Sequence, residues 1–372
     1  MIYFDNGATT LMKPPQVLWA VQNAMRNYAS PGRGGYRAAM EAGAEVYACR
    51  ETAAEMFGAN PEQVVFTMNA THALNLAIKS LVPRGGRVVV SGFEHNAVMR
   101  PLRALGAEVT VAGQKLFDPD DTFAAFERAV EPGQDAVICT HVSNVFGYRL
   151  PIERIAALCR ERAVPLIVDA AQSAGTLPVS LSGLGAAFIG MPGHKGLYGP
   201  QGTGILLCGR TPKSLLEGGT GSLSRSFDMP DFLPDAAEAG THNVPGICGL
   251  AAGIRFVARR GTDRILEQEC RVLKTLLEGM RTLGGVELFA GGSGTQTGVL
   301  SFRVRGTDCE RLAAALSGRD IAVRAGLHCA PAAHESAGTL ESGTVRASLS
   351  VYSTEEEARC FVRALREILR AG

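Results

Sequence analysis

The chain has 372 residues, 46% of them apolar and 20% charged, with a formal net charge of +1. That length exceeds one simple core and suits a large domain joined to a smaller one, or an elaborated α/β unit; the near-neutral balance argues against a nucleic acid or membrane surface recognised by bulk charge. No run of about 18 or more apolar residues is present, which excludes a spanning helix, and the start MIYFDNGATT lacks the basic-then-apolar pattern of a signal peptide, so a cytoplasmic protein is expected.

In chain order, apolar periodicity predicts helices over 13–29 and 37–57. The stretch FTMNATHALNLAIKSL (66–81) reads as a strand end, a turn and a helix from about Thr71. Short β-branched runs follow at 88–90, 136–140, 166–168, 187–189 and 204–207, with helical patterns such as 152–162 between them. This alternation predicts an α/β fold with a mostly parallel sheet. The last three runs lie close together, which predicts a local antiparallel excursion instead of further crossovers. A helical stretch over 249–283 leads out of the large domain, and short strands with helices over 308–317 and 354–370 then predict a smaller α+β domain. The expected boundaries are 1–255 and 256–372, with segment 1–15 assigned either to the large domain or against the small one.

Nine cysteines are scattered without a C-x-x-C pair, an odd number that cannot pair fully within the chain. They predict reduced thiols, mostly small core residues. Only six of the 37 basic residues are lysine, so any covalent role for a lysine falls to Lys13, Lys79, Lys115, Lys195, Lys213 or Lys274.

Among these, Lys195 stands out. In MPGHKGLYGPQGTGILL (191–207) it follows a strand and sits in a glycine-rich loop that returns into another strand. A Schiff-base lysine needs such a fixed, partly desolvated position, although a lone GHKG more often marks a turn with a solvated lysine. No Walker-type ending is present. In PLIVDAAQSAG (165–175), Asp169 ends an apolar strand, where a carboxylate points into the usual ligand crevice of a parallel sheet or caps a helix. Gln172 lies one short turn further on. Ala70 and Thr71 open a helix whose free N–H groups suit an anion; Thr71 is equally an ordinary cap. His95 in FEHNAV and Asn144 in HVSNVFG follow other strands. In VRAGLHCAP (323–331), Cys329 sits in a glycine-containing loop beside His328 and between two arginines, a candidate nucleophile or one more core cysteine. Arg346 could grip a carboxylate with its fork. His328, Cys329 and His334 match no standard zinc spacing, so no metal is expected.

Taken together and in this order, these segments resemble the cysteine desulfurases among the class V, fold-type I enzymes that use pyridoxal 5'-phosphate (PLP). The resemblance runs from FDNGATTLMKP (4–14) and NYASPGRGGYRAAMEAG (27–43), through FTMNATHALNLAI, EHNAV, SNVFG, VDAAQSAGT, GHKGLYGPQGTGIL and AGTHNVPGICGLAAGI (239–254), to RAGLHCAP and GTVRASLSVYSTEEE (343–357). The short R-x-G-x-H-C-A form is similar to the group II branch, which includes selenocysteine lyase-like enzymes. The resemblance implies a seven-stranded, mostly parallel sheet and a C-terminal domain carrying the Cys329 loop. It also implies a homodimer acting on L-cysteine, with L-selenocysteine as the competing substrate, and a thiol acceptor for the sulfur.

On matching positions it implies that Lys195 holds PLP covalently, with Asp169 at the pyridine nitrogen, Gln172 at the phenolic oxygen and His95 over the ring. Ala70, Thr71 and His194 surround the phosphate, and Thr241 reaches it from the other subunit. Asn144, Arg346 and Ala8 meet the substrate, and Cys329 accepts sulfur. Three departures stand out. Pro192 occupies a position that is serine in many relatives, which removes one phosphate hydroxyl. Leu327 replaces the first histidine of H-H-C. The stretch 210–238 is short, so no particular acceptor protein is implied. The competing readings are another class V reaction, transamination or β-elimination, and a non-catalytic sulfur-relay protein.

Overall fold

The computed structural model describes residues 1–32, 34–292 and 294–371; Arg33, inside the 27–43 motif, lies outside them. Seven strands form one sheet in the order Val64–Thr67, Gly204–Cys208, Phe188–Pro192, Leu166–Asp169, Ala136–Thr140, Arg87–Ser91, Glu108–Ala112. The five strands from Phe188–Pro192 to Glu108–Ala112 are mutually parallel. Gly204–Cys208 alone runs antiparallel to both its neighbours. The expected excursion is therefore narrower than the spacing suggested. Leu166–Asp169 and Phe188–Pro192 pair in parallel because residues 170–187, with the short helix Leu181–Leu184, form a crossover between them.

Buried strands read as continuous apolar runs when both faces are covered, and AVICT, LIVD and GILLC are buried throughout. Alternate residues feed opposite layers. Val89, Val137, Val168, Ile189 and Leu207 pack with Phe57, Ile152 and Ile155 on one face. Val88, Ile138, Ile167, Phe188 and Leu206 pack with Leu74, Ile78, Val98 and Leu102 on the other. The helix Ala70–Leu81 supplies Leu74 and Ile78, which seats its first turn at the sheet's edge of strand ends.

The helical stretch expected over 249–283 is two helices, Val244–Arg260 and Thr262–Met280. Gly261 separates them with φ +83°, a conformation that glycine adopts without a steric cost. The expected boundary at 255/256 falls inside the first helix. Beyond lies an antiparallel sheet in the order Arg324–Gly326, Thr344–Ser348, Val299–Val304, Val286–Phe289. Its core joins Leu273, Leu276, Leu300, Phe302, Leu312, Val345, Phe361 and Leu365. Phe4 belongs to the same cluster, and the strand Ile2–Tyr3 pairs in parallel with Ile321–Ala322. The chain's first residues thus reach its last third. Among the described residues, no helix is long and apolar enough to cross a membrane.

Candidate active site

Thr140, Asp169 and Pro192 close three adjacent strands and line one cavity of about 510 Å³ at their carboxyl ends. The same cavity is lined by Ala70, Thr71, His95, Asn144, Gln172, His194 and Lys195. Strand ends of an open parallel sheet present side chains to a common crevice, and here they collect most of the residues singled out in the sequence.

Two glycines set the lysine loop against the turn after Asp169. At Gly175, with φ +94°, an added Cβ would stand 2.1 Å from the Gly196 carbonyl oxygen. At Gly196 an added Cβ would stand 2.3 Å from that of Ala174. From the other side, Thr10 N–H and Lys13 Nζ both donate to the His194 carbonyl, at 3.0 and 3.2 Å. The loop is thus clamped before and after Lys195. Burial brings the Lys195 amine down to about 8, with Asp169 opposing that shift. Asp169 is 3% exposed, and its Oδ1 accepts from Ala171 N–H at 2.8 Å. Burial raises its carboxyl, while that N–H and the Lys195 charge work against the rise.

At the far side, the helix Ala70–Leu81 starts on the cavity wall. The Asn69 side chain accepts from His72 N–H at 2.9 Å, whereas the N–H groups of Ala70 and Thr71 make no hydrogen bond to any described residue. Two free donors at a helix start are a ready anion site. His95 Nδ1 accepts from Ala97 N–H at 3.0 Å, which leaves its proton on Nε2. Burial first, then the charges of Lys195 and Arg100, hold its imidazole down at about 4. His194 is held down to about 4 by burial as well, and its buried Nδ1 has no partner.

Cys329 lines a second cavity, of about 680 Å³, which shares Thr71, His95 and Ala97 with the first. It is exposed, while the other eight cysteines are buried or half-buried. Its loop is pinned on consecutive carbonyls: Asn144 Nδ2 donates to His328 O and Asn96 N–H donates to Cys329 O, each at 2.8 Å. His328 and Cys329 both take left-handed backbone, with φ +50° and +57°. The two neighbouring side chains differ in burial, Cys329 being exposed and His328 8% exposed. The His328 ring is buried, with Nε2 3.2 Å from Thr344 Oγ1 and its centroid 5.7 Å from that of His334. Burial brings its imidazole down to about 2, so it lends no positive charge to the loop.

Arg346 reaches the site through Asn144, whose carbonyl accepts from Nη1 at 2.9 Å. Its Nη2 donates to Asp5 Oδ1 at 3.0 Å, and its Nε is buried without a partner. Asp5 also receives Arg324, at 2.8 Å. Asp5 escaped the sequence reasoning; the FDNGATT run was its one signal. Ala8 is half-buried, bonds the Asp5 carbonyl through its N–H at 3.1 Å and does not line the cavity. Its neighbour Gly7 accepts from Gln172 Nε2 at 3.0 Å. Thr241 lies elsewhere, in a cavity of about 850 Å³ with His72, Glu238 and His242. Among the described residues no group of three or more His, Cys, Asp or Glu side chains is placed to hold a metal ion.

The family described as Aminotransferase class-V matches residues 2–361 of this sequence. The chain belongs to the class-V aminotransferase family. Members that it resembles include a probable cysteine desulfurase of Methanothermobacter thermautotrophicus, 34% identical, with 100% of this chain and 95% of that protein covered. One of Xylella fastidiosa is 34% identical over 99% of this chain and 91% of its own length. Among solved class-V structures, the apo cysteine desulfurase of Thermococcus onnurineus NA1 superposes with a TM-score of 0.91 at 32% identity, covering 100% of this chain and 95% of that one.

Proposed function

We propose that this chain is a PLP-dependent cysteine desulfurase, which converts L-cysteine to L-alanine and carries the sulfur as a persulfide on Cys329 to a thiol acceptor. The observation that carries the reading is the junction of the two cavities: Lys195 lines one, Cys329 the other, and His95 and Thr71 line both. The cofactor fits the donor set. The unpartnered N–H groups of Ala70 and Thr71 suit its phosphate, the buried Asp169 carboxylate suits a protonated pyridine nitrogen, and the desolvated Lys195 amine suits a Schiff base. When bound, PLP supplies an electron sink for charge at the substrate α-carbon.

In this reading Asp169 would hold a proton at the ring nitrogen, Gln172 would meet the phenolic oxygen and His95, as a neutral imidazole, would pack against the ring. His194 would stand beside the phosphate, and Thr241 of the second copy of a homodimer would complete that end. Exposed apolar side chains on the helices Pro15–Asn27 and Arg37–Phe57, among them Leu18, Trp19, Met25 and Met40, support a dimer. Arg346 and Asn144, with the backbone near Ala8, receive the carboxylate of L-cysteine. Lys195 Nζ takes the α-proton. The Cys329 thiolate attacks the substrate sulfur; the Cβ–S bond breaks, its electron pair stays with the carbon fragment, and protonation yields L-alanine. The test is mass measurement of the intact protein after L-cysteine without reductant. One added sulfur atom, absent in Cys329→Ala, is the expected result; no added sulfur on the wild type would contradict the reading.

A further inference from the structure

The cavity that holds Cys329 is flanked by two cations without partners. Lys79 and Arg100 line it, both are exposed, and neither makes a hydrogen bond or ion pair with a described residue. They come from the helices Ala70–Leu81 and Asn96–Leu105. Some exposed cations elsewhere have acidic mates, as Lys115 has Asp118 and Arg154 has Asp120; what sets Lys79 and Arg100 apart is that they share one cavity with Cys329. No acidic side chain lines the cavity, whose remaining walls include Asn75, Asn96, Pro101 and Ala104. The positive charge is felt inside, since Arg100 is one of the groups that hold His95 neutral. A cleft lined by one sign of charge concentrates ligands of the other, and the part of this one that a small molecule can enter, about 320 Å³, lies at the lower end of small-molecule site sizes.

We infer that this cavity is the entry of the sulfur acceptor and selects a small thiol that bears carboxylate groups. The inference rests on the desulfurase reading and adds the chemical class of the acceptor. The acceptor thiolate attacks the outer sulfur of the Cys329 persulfide. A new S–S bond forms to the acceptor, the bond between that sulfur and Cys329 breaks, and Cys329 leaves as a thiolate with the electron pair. The acceptor departs as a persulfide, and no outside oxidant or reductant enters.

The protein reconstituted with PLP is loaded with L-cysteine, freed of excess and mixed with mercaptosuccinate, β-mercaptoethanol or cysteamine at equal thiolate concentration. Decay of the Cys329 persulfide is followed in wild type and in a Lys79→Gln, Arg100→Gln double variant. The variant is expected to load normally and to discharge to mercaptosuccinate about tenfold more slowly, with little change for β-mercaptoethanol and no loss for cysteamine. The difference should shrink as salt is raised. An equal change for all three thiols, or none, overturns the inference. A wild-type protein that never forms the persulfide overturns the desulfurase reading itself, whereas a persulfide discharged without charge preference overturns only the acceptor class.

Discussion

Asp5 and Arg346 stand at opposite ends of the chain, yet Arg346 Nη2 donates to Asp5 Oδ1 at 3.0 Å. The guanidinium is 2% exposed and is also held by Asn144 O, so its orientation is fixed before any substrate arrives. Asp5 offsets its charge in part, since the one carboxylate is shared with Arg324 and the trio keeps a net +1. Removing one partner of a buried charge pair costs about 3 kcal/mol or more. Asp5→Ala should lose about that much in denaturant unfolding. Arg346→Lys keeps the charge but not the fork, and kcat/KM for L-cysteine should fall about tenfold or more. Unchanged stability in the first and unchanged kcat/KM in the second would show the pair to be incidental.

A second expectation concerns how the apo-protein takes up cofactor. Only the neutral amine can form the Schiff base, and burial sets the Lys195 amine at about 8. Uptake of PLP, followed by visible absorption, should rise steeply up to about pH 8 and level off above it. A rise continuing through pH 10 would mean that the lysine is solvated.

Glu94 is fully buried at the ends of the strands Arg87–Ser91 and Ala136–Thr140. Its Oε1 accepts from Ser91 Oγ at 2.5 Å and Thr140 N–H at 2.7 Å. Burial raises its carboxyl from 4.5 to about 8. Between those values the folded chain keeps a proton that the unfolded chain has lost, so this group lowers stability as pH rises through the window. Glu94→Gln retains an acceptor for Thr140. Its Tm relative to wild type should therefore improve from about pH 5 to about pH 8. A pH-independent difference would contradict this.

Gly175 offers a steric test of how the lysine loop is placed. Both its φ of +94° and the 2.1 Å approach to Gly196 O exclude a side chain. Gly175→Ala should cost about 1–3 kcal/mol from backbone strain alone. It should also weaken PLP retention, because the displaced backbone carries Lys195. Full cofactor occupancy at wild-type stability would contradict that packing.

The sequence made the central strands and the cavity residues legible because each has a local signature. The runs at 136–140 and 166–168 are apolar on both faces, and Lys195, Asp169 and Thr71 sit where a strand or helix ends. Other features had no such signature. Glu108–Ala112 is a sheet-edge strand with four of its five residues exposed or half-buried, so its run is neither continuous nor cleanly alternating. The short helix Pro331–Ser336 has too few residues to show periodicity. The partnership of Asp5 with two arginines depends on tertiary closure between chain ends. The turn that leaves His328 buried next to an exposed Cys329 holds two left-handed residues, and neither is a glycine that would have announced it.

The central claim is that sulfur leaves L-cysteine onto Cys329 while Lys195 handles the proton. Its most direct test is simultaneous measurement of alanine and sulfide from L-cysteine with PLP and a reductant, in wild type and Cys329→Ala. Equal amounts of the two products, both lost in the variant, are the predicted result. Sulfide accompanied by pyruvate, or alanine formed undiminished by Cys329→Ala, would contradict it.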